Sequence, residues 1–177
     1  AATFTAGTVH TVDTVAATVT NGNISISGAT GTAGAFIIGD TVTATWNNTA
    51  GGDNNSDTIS TVTMDFSAFG GGAAVSASNS SGTWTATYTI VSGSIDTGNL
   101  NVSVTAKDDA NNSTTTADTS NATVDNQVLT VTDGNIGVSS TGTGTGGVYV
   151  AGDTVTVSWD NSATGDNNSD TVSAVTM

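Results

Sequence analysis

Short runs in which apolar and polar residues alternate dominate the chain, and clusters of Gly, Asn, Asp and Ser separate them. The clearest run contains Trp84, Ala86, Tyr88 and Ile90, so that every second residue is apolar. A period of two places alternate side chains on one face of a β-strand. The pattern predicts seven strands in the stretch 13–125, at 15–26, 36–46, 62–66, 74–78, 84–90, 100–106 and 113–124.

Seven short strands separated by turn residues are typical of an all-β fold, and we expect a seven-stranded β-sandwich of immunoglobulin-like type. Trp46 and Trp84 are expected to fill the core between its two sheets. The composition agrees, because all 15 acidic residues are Asp, Glu and Arg are missing, and Lys107 is the single Lys. Asp, Asn, Gly, Thr and Ser favour turns and strands over helices.

A long internal repeat organises the sequence. The stretch 39–64 returns as 152–177 with 19 of 26 positions identical, which gives a period of 113 residues. This period indicates tandem domains. The predicted organisation has three parts: 1–12, the last strand of a preceding repeat or an exchanged strand; 13–125, a complete repeat; and 126–177, the first three strands of an incomplete repeat. The missing strands would come from the rest of a longer array or from another chain.

The charge and the missing residue types exclude several functions. A net charge of −14 disfavours nucleic acid and anionic membrane surfaces as partners, and it fits cation binding outside the cell. Without Cys the chain has no disulfide framework, and no run is apolar enough for a membrane span. The single His, His10, and the missing Cys and Glu leave no set of nucleophile, base and orienting group. The sequence therefore predicts a protein that is not an enzyme.

A carboxylate-rich loop is the best candidate for chemistry. Asp53, Asn55 and Asp57 follow the spacing D-x-N-x-D, which suits hard cations such as Ca²⁺. The Gly and the distant Glu of an EF-hand are missing, so an EF-hand is rejected, and an ordinary Asx-rich turn is the alternative. The second copy repeats the motif as Asp166, Asn168 and Asp170.

The predicted topology gathers further acidic residues at the two ends of the sandwich. The loop 53–57 shares one end with Asp13, Asp108, Asp109 and Asn111. At the opposite end, Asp40 lies beside Asp125, the first residue of the next repeat. Clustered carboxylates repel one another unless a cation neutralises them, so calcium is expected at the junctions between repeats.

Three short motifs carry a family resemblance: Val-Asp at 12–13 and 124–125, Gly-Asp-Thr at 39–41 and 152–154, and TAKDDANN at 105–112. With them the chain resembles the bacterial immunoglobulin-like repeats of giant surface adhesins. The resemblance implies tandem sandwiches at the cell surface, often stiffened by Ca²⁺ between repeats. It points to these ligands: Asp13, Asp40 with its copy Asp153, Asp108 and Asp125.

These observations together predict a structural repeat of an extracellular adhesin or surface filament. Its partners would be neighbouring repeats of the same protein and other copies in a filament. A glycan-binding module is the rival, but it needs aromatic side chains on an exposed face, and here they fall mostly on inward-facing positions. A strand-exchanged subunit of a surface polymer is the second alternative.

Overall fold

The computed structural model describes Gly7 and residues 11–177 of the 177-residue chain. Its regular elements are short β-strands and single 3-10 turns, so the predicted all-β class is confirmed. The chain divides into two compact units, Ala1–Gln127 and Val128–Met177, called here the first and the second unit.

Among its described residues the first unit forms eleven short strands. They are β1 (Ile24–Ser27), β2 (Phe36–Ile37), β3 (Thr41–Asn47), β4 (Ile59–Asp65), β5 (Val75–Ser76), β6 (Ser78–Ser80), β7 (Thr83–Thr89), β8 (Asp96–Leu100), β9 (Ser103–Asp108), β10 (Ser113–Ala117) and β11 (Ala122–Asp125). The 3-10 turns of both units are Asn21–Asn23, Thr32–Gly34, Ser67–Phe69, Asp133–Asn135 and Thr145–Gly147.

The strands of the first unit form three sheets. Two are four-stranded and antiparallel, with the orders β1-β3-β7-β6 and β10-β9-β4-β5. In the third, of order β2-β11-β8, strand β11 runs parallel to β2 and antiparallel to β8. Through this parallel pairing β11, the last strand of the first unit, lies beside β2, one of its first strands.

Every second side chain along the central strands is buried, and these side chains form the core of the first unit. In β3, Val42, Ala44 and Trp46 are fully buried, and the register places Trp46 opposite Trp84 of β7. Both Trp side chains lie in the core, as predicted. Burying a large apolar side chain contributes about 1.5–3 kcal/mol, so this core is the main source of stability. The other four-stranded sheet and its flanking turns add Val62, Met64, Phe66, Phe69, Val102, Val104 and Ala106.

Four of the predicted strands are each divided between sheets: 36–46, 74–78, 100–106 and 113–124. The stretch 36–46 becomes β2 and β3, because a turn with Gly39 in the left-handed region (φ 94°) separates them. The stretch 113–124 becomes β10 and β11, with the left-handed Asn121 (φ 52°) between them. Alternation does not reveal such a change of sheet, because the residues on both sides of the turn still alternate.

The beginning of the chain also differs from the prediction. Ala17 and Val19 are buried, yet only Ile24–Ser27 of the predicted strand 15–26 pairs in a sheet. Side-chain hydrogen bonds, described below, replace the ladder there. The prediction for 1–12 falls mostly on residues outside the described set, and so does His10.

The second unit contains one antiparallel pair, β12 (Ile136–Val138) with β13 (Val157–Trp159). The stretch 172–177, which repeats most of β4, forms no strand there. Its apolar side chains instead line an open groove of about 230 Å³. In the described part of the chain, no helix is long and apolar enough to cross a membrane.

Candidate metal site and hydrogen-bonded carboxylates

Asp53 is a hydrogen-bond centre that joins the loop after β3 to the start of the unit. Its Oδ2 accepts bonds from Trp46 Nε1 at 2.7 Å and from the Thr20 backbone N–H at 3.0 Å. Its Oδ1 accepts bonds from Thr20 Oγ1 at 2.6 Å and from Asn23 Nδ2 at 2.8 Å. Burial raises the pKa of this carboxyl, but the hydrogen bonds from Thr20, Trp46 and Asn23 outweigh it, and the pKa is lowered.

Asn55 holds the same loop to the segment before β1. Its Oδ1 accepts a bond from the Thr18 N–H at 2.7 Å, and its Nδ2 donates to Thr18 O at 2.9 Å. This exchange imitates one rung of a β-ladder, and Nδ2 also donates to Asn48 Oδ1 at 2.8 Å. Asp57, the last member of the predicted D-x-N-x-D ligand set, is exposed. Asp53 and Asn55 therefore join this loop to the start of the unit through their hydrogen bonds.

The second unit repeats these bonds. Asp166 accepts bonds from Trp159 Nε1 at 2.6 Å, Thr132 N–H at 2.9 Å and Asn135 Nδ2 at 2.8 Å. Hydrogen bonds from Thr132 and Trp159 hold the pKa of Asp166 well below its ordinary value. Asn168 exchanges two bonds with the Thr130 backbone, at 2.6 and 2.9 Å.

Asp40 closes the turn between β2 and β3. Its carboxylate accepts bonds from Thr30 N–H at 2.9 Å, Thr30 Oγ1 at 2.5 Å and Ile37 N–H at 3.0 Å. These bonds from Thr30 and Ile37 lower its pKa. Asp153 makes the equivalent bonds to Thr143 and to the Val150 N–H in the second unit, and its pKa is lowered for the same reason.

The remaining predicted ligands lie in three places. Asp125 is the last residue of β11 and pairs with Ile37, so it lies close to the turn that Asp40 closes. Asn111 has a left-handed backbone (φ 68°) and turns the chain between β9 and β10. Asp170, the counterpart of Asp57, is half-buried in the second unit.

Asp13, Asp108 and Asp109 form the one group of three carboxylates that falls within a single described unit. One oxygen from each lies within 4.8 Å of the others. Asp108 is fully buried, and Asn112 donates to its two oxygens, from N–H at 2.9 Å and from Nδ2 at 3.0 Å. As predicted, the linker residue Asp13 lies close to the hairpin after β9. Asp53 and Asn55, which were predicted at the same end, form hydrogen bonds with Thr20 and Thr18 before β1.

This acidic group meets one geometric condition of a cation site, the close approach of three carboxylate oxygens. Calcium binds six to eight oxygens at about 2.3–2.6 Å, so two of its ligands lie at most about 5 Å apart. Three carboxylates supply up to six oxygens, and each carboxylate oxygen that accepts one hydrogen bond keeps a second lone pair. The three negative charges repel one another, and a divalent cation would relieve that repulsion.

The residues that the sequence prediction missed are those that bond Asp53 and Asn55 from the segment before β1. Thr18, Thr20 and Asn23 belong to the stretch TVTNGNI at 18–24, which returns as TVTDGNI at 130–136. That recurrence was the available signal. The recurrence of this stretch beside each loop identifies it as the source of the hydrogen-bond partners of the loop.

The chain is an all-β protein with sandwich-like sheets and a repeated set of carboxylate anchors. Comparisons with protein-family models, curated proteins and solved structures find no match. The features that bear on its function are therefore the repeat and the acidic group.

Proposed function

We propose that the chain is a non-enzymatic structural repeat of an extracellular bacterial adhesin or surface filament. Consecutive immunoglobulin-like sandwiches would form a stalk or fibre, and calcium would stiffen the start of each repeat. In this function each repeat would contact the neighbouring repeats of the same protein.

The recurrence of one bonding pattern in both units carries the proposal. Asp53 and Asp166 accept equivalent bonds from a Trp, a Thr and an Asn, and Asn55 and Asn168 make the same exchange with a Thr backbone. These bonds join each carboxylate-bearing loop to the segment that precedes the first strand and so maintain the shape of a repeat. Preservation of shape from copy to copy is what an array of stacked modules requires.

The calcium proposal concerns Asp13, Asp108 and Asp109. Asp13 precedes the first unit's strands, and the other two lie at the tip of the hairpin between β9 and β10. An ion that joins them would fix the incoming chain to the body of the repeat. The counterpart of Asp13 in the next repeat is Asp125.

A calcium titration of thermal stability tests this site. A ligand at a hundred times its dissociation constant adds about 2.7 kcal/mol, which raises the melting temperature of a domain of this size by about 10 °C or more. Asp109→Asn is expected to abolish the calcium-dependent increase. Asp57→Asn, a matched change at an exposed carboxylate, is expected to keep it.

Two results would contradict the calcium site. Identical melting curves in calcium and in EDTA would remove it, and loss of the increase in Asp57→Asn alone would assign the ion to the 53–57 loop. Saturable binding of the full chain on a glycan array would contradict the structural role itself.

Denaturing electrophoresis of native material tests how the repeats are joined. We expect a very large polypeptide, because the repeats are proposed to be covalent neighbours. A polymer that collapses to a band near 17 kDa, the mass of this chain, would favour strand-exchanged subunits instead.

A further inference from the structure

The turn before the first strand has the same conformation in both units but begins with a different residue in each. Asn21–Asn23 and Asp133–Asn135 are 3-10 turns, and each follows a Thr with an extended backbone. In both turns the N–H of the third residue donates to the carbonyl of that Thr, at 3.1 Å in the first unit and 2.9 Å in the second. The first residue is Asn21 in one copy and Asp133 in the other. The turn therefore accepts an aspartate where the first unit has an asparagine.

Asn21 has the surroundings of an asparagine that loses its side-chain amide spontaneously. It precedes Gly22, and no other Asn in the sequence precedes a Gly. Both residues are exposed, and among the residues that the structure describes none forms a hydrogen bond with the Asn21 side chain. Glycine has no Cβ to hinder the approach of its backbone N to the preceding side chain, and the first N–H groups of a helical turn have no partner within that turn. The backbone N of Gly22 is therefore accessible to the Asn21 side chain.

We propose that Asn21 is a site of spontaneous deamidation. The backbone N of Gly22 attacks Cγ of Asn21, the new C–N bond closes a succinimide ring, and the side-chain amide leaves as ammonia. Water then opens the ring in one of two ways. Cleavage of the Cγ–N bond gives an aspartyl residue, whereas cleavage of the backbone C–N bond gives an isoaspartyl residue, whose main chain runs through Cβ and Cγ.

The second unit shows what the aspartyl product does to the fold. Asp133 occupies the same position of the turn there, and the turn still supplies donors to a carboxylate, Asp166. Thr132 N–H donates at 2.9 Å and Asn135 Nδ2 donates at 2.8 Å. We therefore expect the aspartyl product to keep the fold of the first unit.

The isoaspartyl product is expected to disturb the same contacts. Thr20 and Asn23 lie on either side of the site, and both donate to Asp53, from the Thr20 N–H at 3.0 Å and from Asn23 Nδ2 at 2.8 Å. An isoaspartyl residue inserts a carbon atom into the main chain between these donors, so both cannot keep their present positions on one carboxylate. Loss of either hydrogen bond lowers the stability of the first unit.

Peptide mapping by mass spectrometry, after the full chain has been incubated at mildly alkaline pH, tests the site. We expect Asn21 to deamidate more than about tenfold faster than Asn79, which is also exposed but precedes Ser80 and accepts a hydrogen bond from the Gly82 N–H at 2.9 Å. Gly22→Ala is expected to slow the reaction without changing the fold, because a Cβ added at Gly22 meets no atom within 4 Å. Equal rates at Asn21 and Asn79, or a Gly22→Ala chain that deamidates as fast as the parent, would overturn the proposal.

Urea unfolding tests the different effects of the two products. Asn21→Asp is expected to unfold at the same urea concentration as the parent, whereas the isoaspartyl form, separated from aged parent by chromatography, is expected to unfold at a lower one. The inference is wrong if Asn21→Asp is as unstable as the isoaspartyl form, or if the isoaspartyl form is as stable as the parent. None of these outcomes depends on calcium or on how the repeats are joined.

Discussion

Replacing Asp53 with alanine tests whether this carboxylate stabilises the first unit. Two of its four hydrogen bonds, from Trp46 Nε1 and Asn23 Nδ2, are partly shielded from solvent. Trp46 is fully buried, so without Asp53 its N–H would have no acceptor. A hydrogen bond to a charged group contributes about 1.5–3 kcal/mol, and counting only the two shielded bonds at the lower end gives a loss of about 3 kcal/mol.

Urea unfolding followed by tryptophan fluorescence measures this loss as a change in the free energy of unfolding. Asp57→Ala, an exposed residue of the same loop, is the matched control and is expected to stay within about 0.5 kcal/mol of the parent. In a Trp46→Phe background, which removes the indole donor, Asp53→Ala should cost about 1.5 kcal/mol less than in the parent. If Asp53→Ala costs no more than Asp57→Ala, the carboxylate does not anchor the fold.

Three further predictions concern acid, side-chain bonds and proteolysis. The pKa values of Asp53 and Asp40 are lowered in the folded state, so their contribution to stability is present above about pH 4 and is lost as the pH falls through the folded pKa values. Thermal melts between pH 5 and 2 should show this loss of stability. Asp53→Asn should make the loss smaller, because the amide does not titrate. Thr30→Val removes the Oγ1 bond to Asp40 and should cost about 1 kcal/mol in urea unfolding, whereas the exposed Thr87→Val should be neutral. Limited proteolysis should leave a resistant core that ends near Gln127, and a resistant monomeric fragment that extends to Met177 would contradict this.

The alternation of apolar residues was sufficient to predict the central strands. Val42, Ala44 and Trp46 identified β3, and the run from Trp84 identified β7. The divided strands were not predictable in the same way, because Gly39 and its turn lie between two apolar stretches that both fit the pattern. The turn that separates β2 from β3 is held by hydrogen bonds to Asp40 from Thr30, ten residues earlier in the chain.

The candidate site was predicted only in part for a related reason. Asp53, Asn55 and Asp57 have the spacing of ligands, and a repeat preserves hydrogen-bond anchors as faithfully as it preserves ligands. The indole N–H of Trp46 donates to Asp53, but the alternation around Trp46 indicates only its position in the core. Asp13, Asp108 and Asp109 were predictable, because the strand order alone brings the linker and the β9–β10 hairpin to one end.

The parallel pairing of β11 with β2 determines when a repeat can fold. Phe36 and Val124, which pair in this ladder, are 88 residues apart in the sequence. Contacts between such distant residues form late, because the loop between them must close before the pairing stabilises it. A chain that emerges gradually from a ribosome or an export channel therefore cannot close this ladder until the end of the repeat has arrived. Folding would then advance by whole repeats, and the unfolded length would grow to nearly a full repeat before each ladder could close.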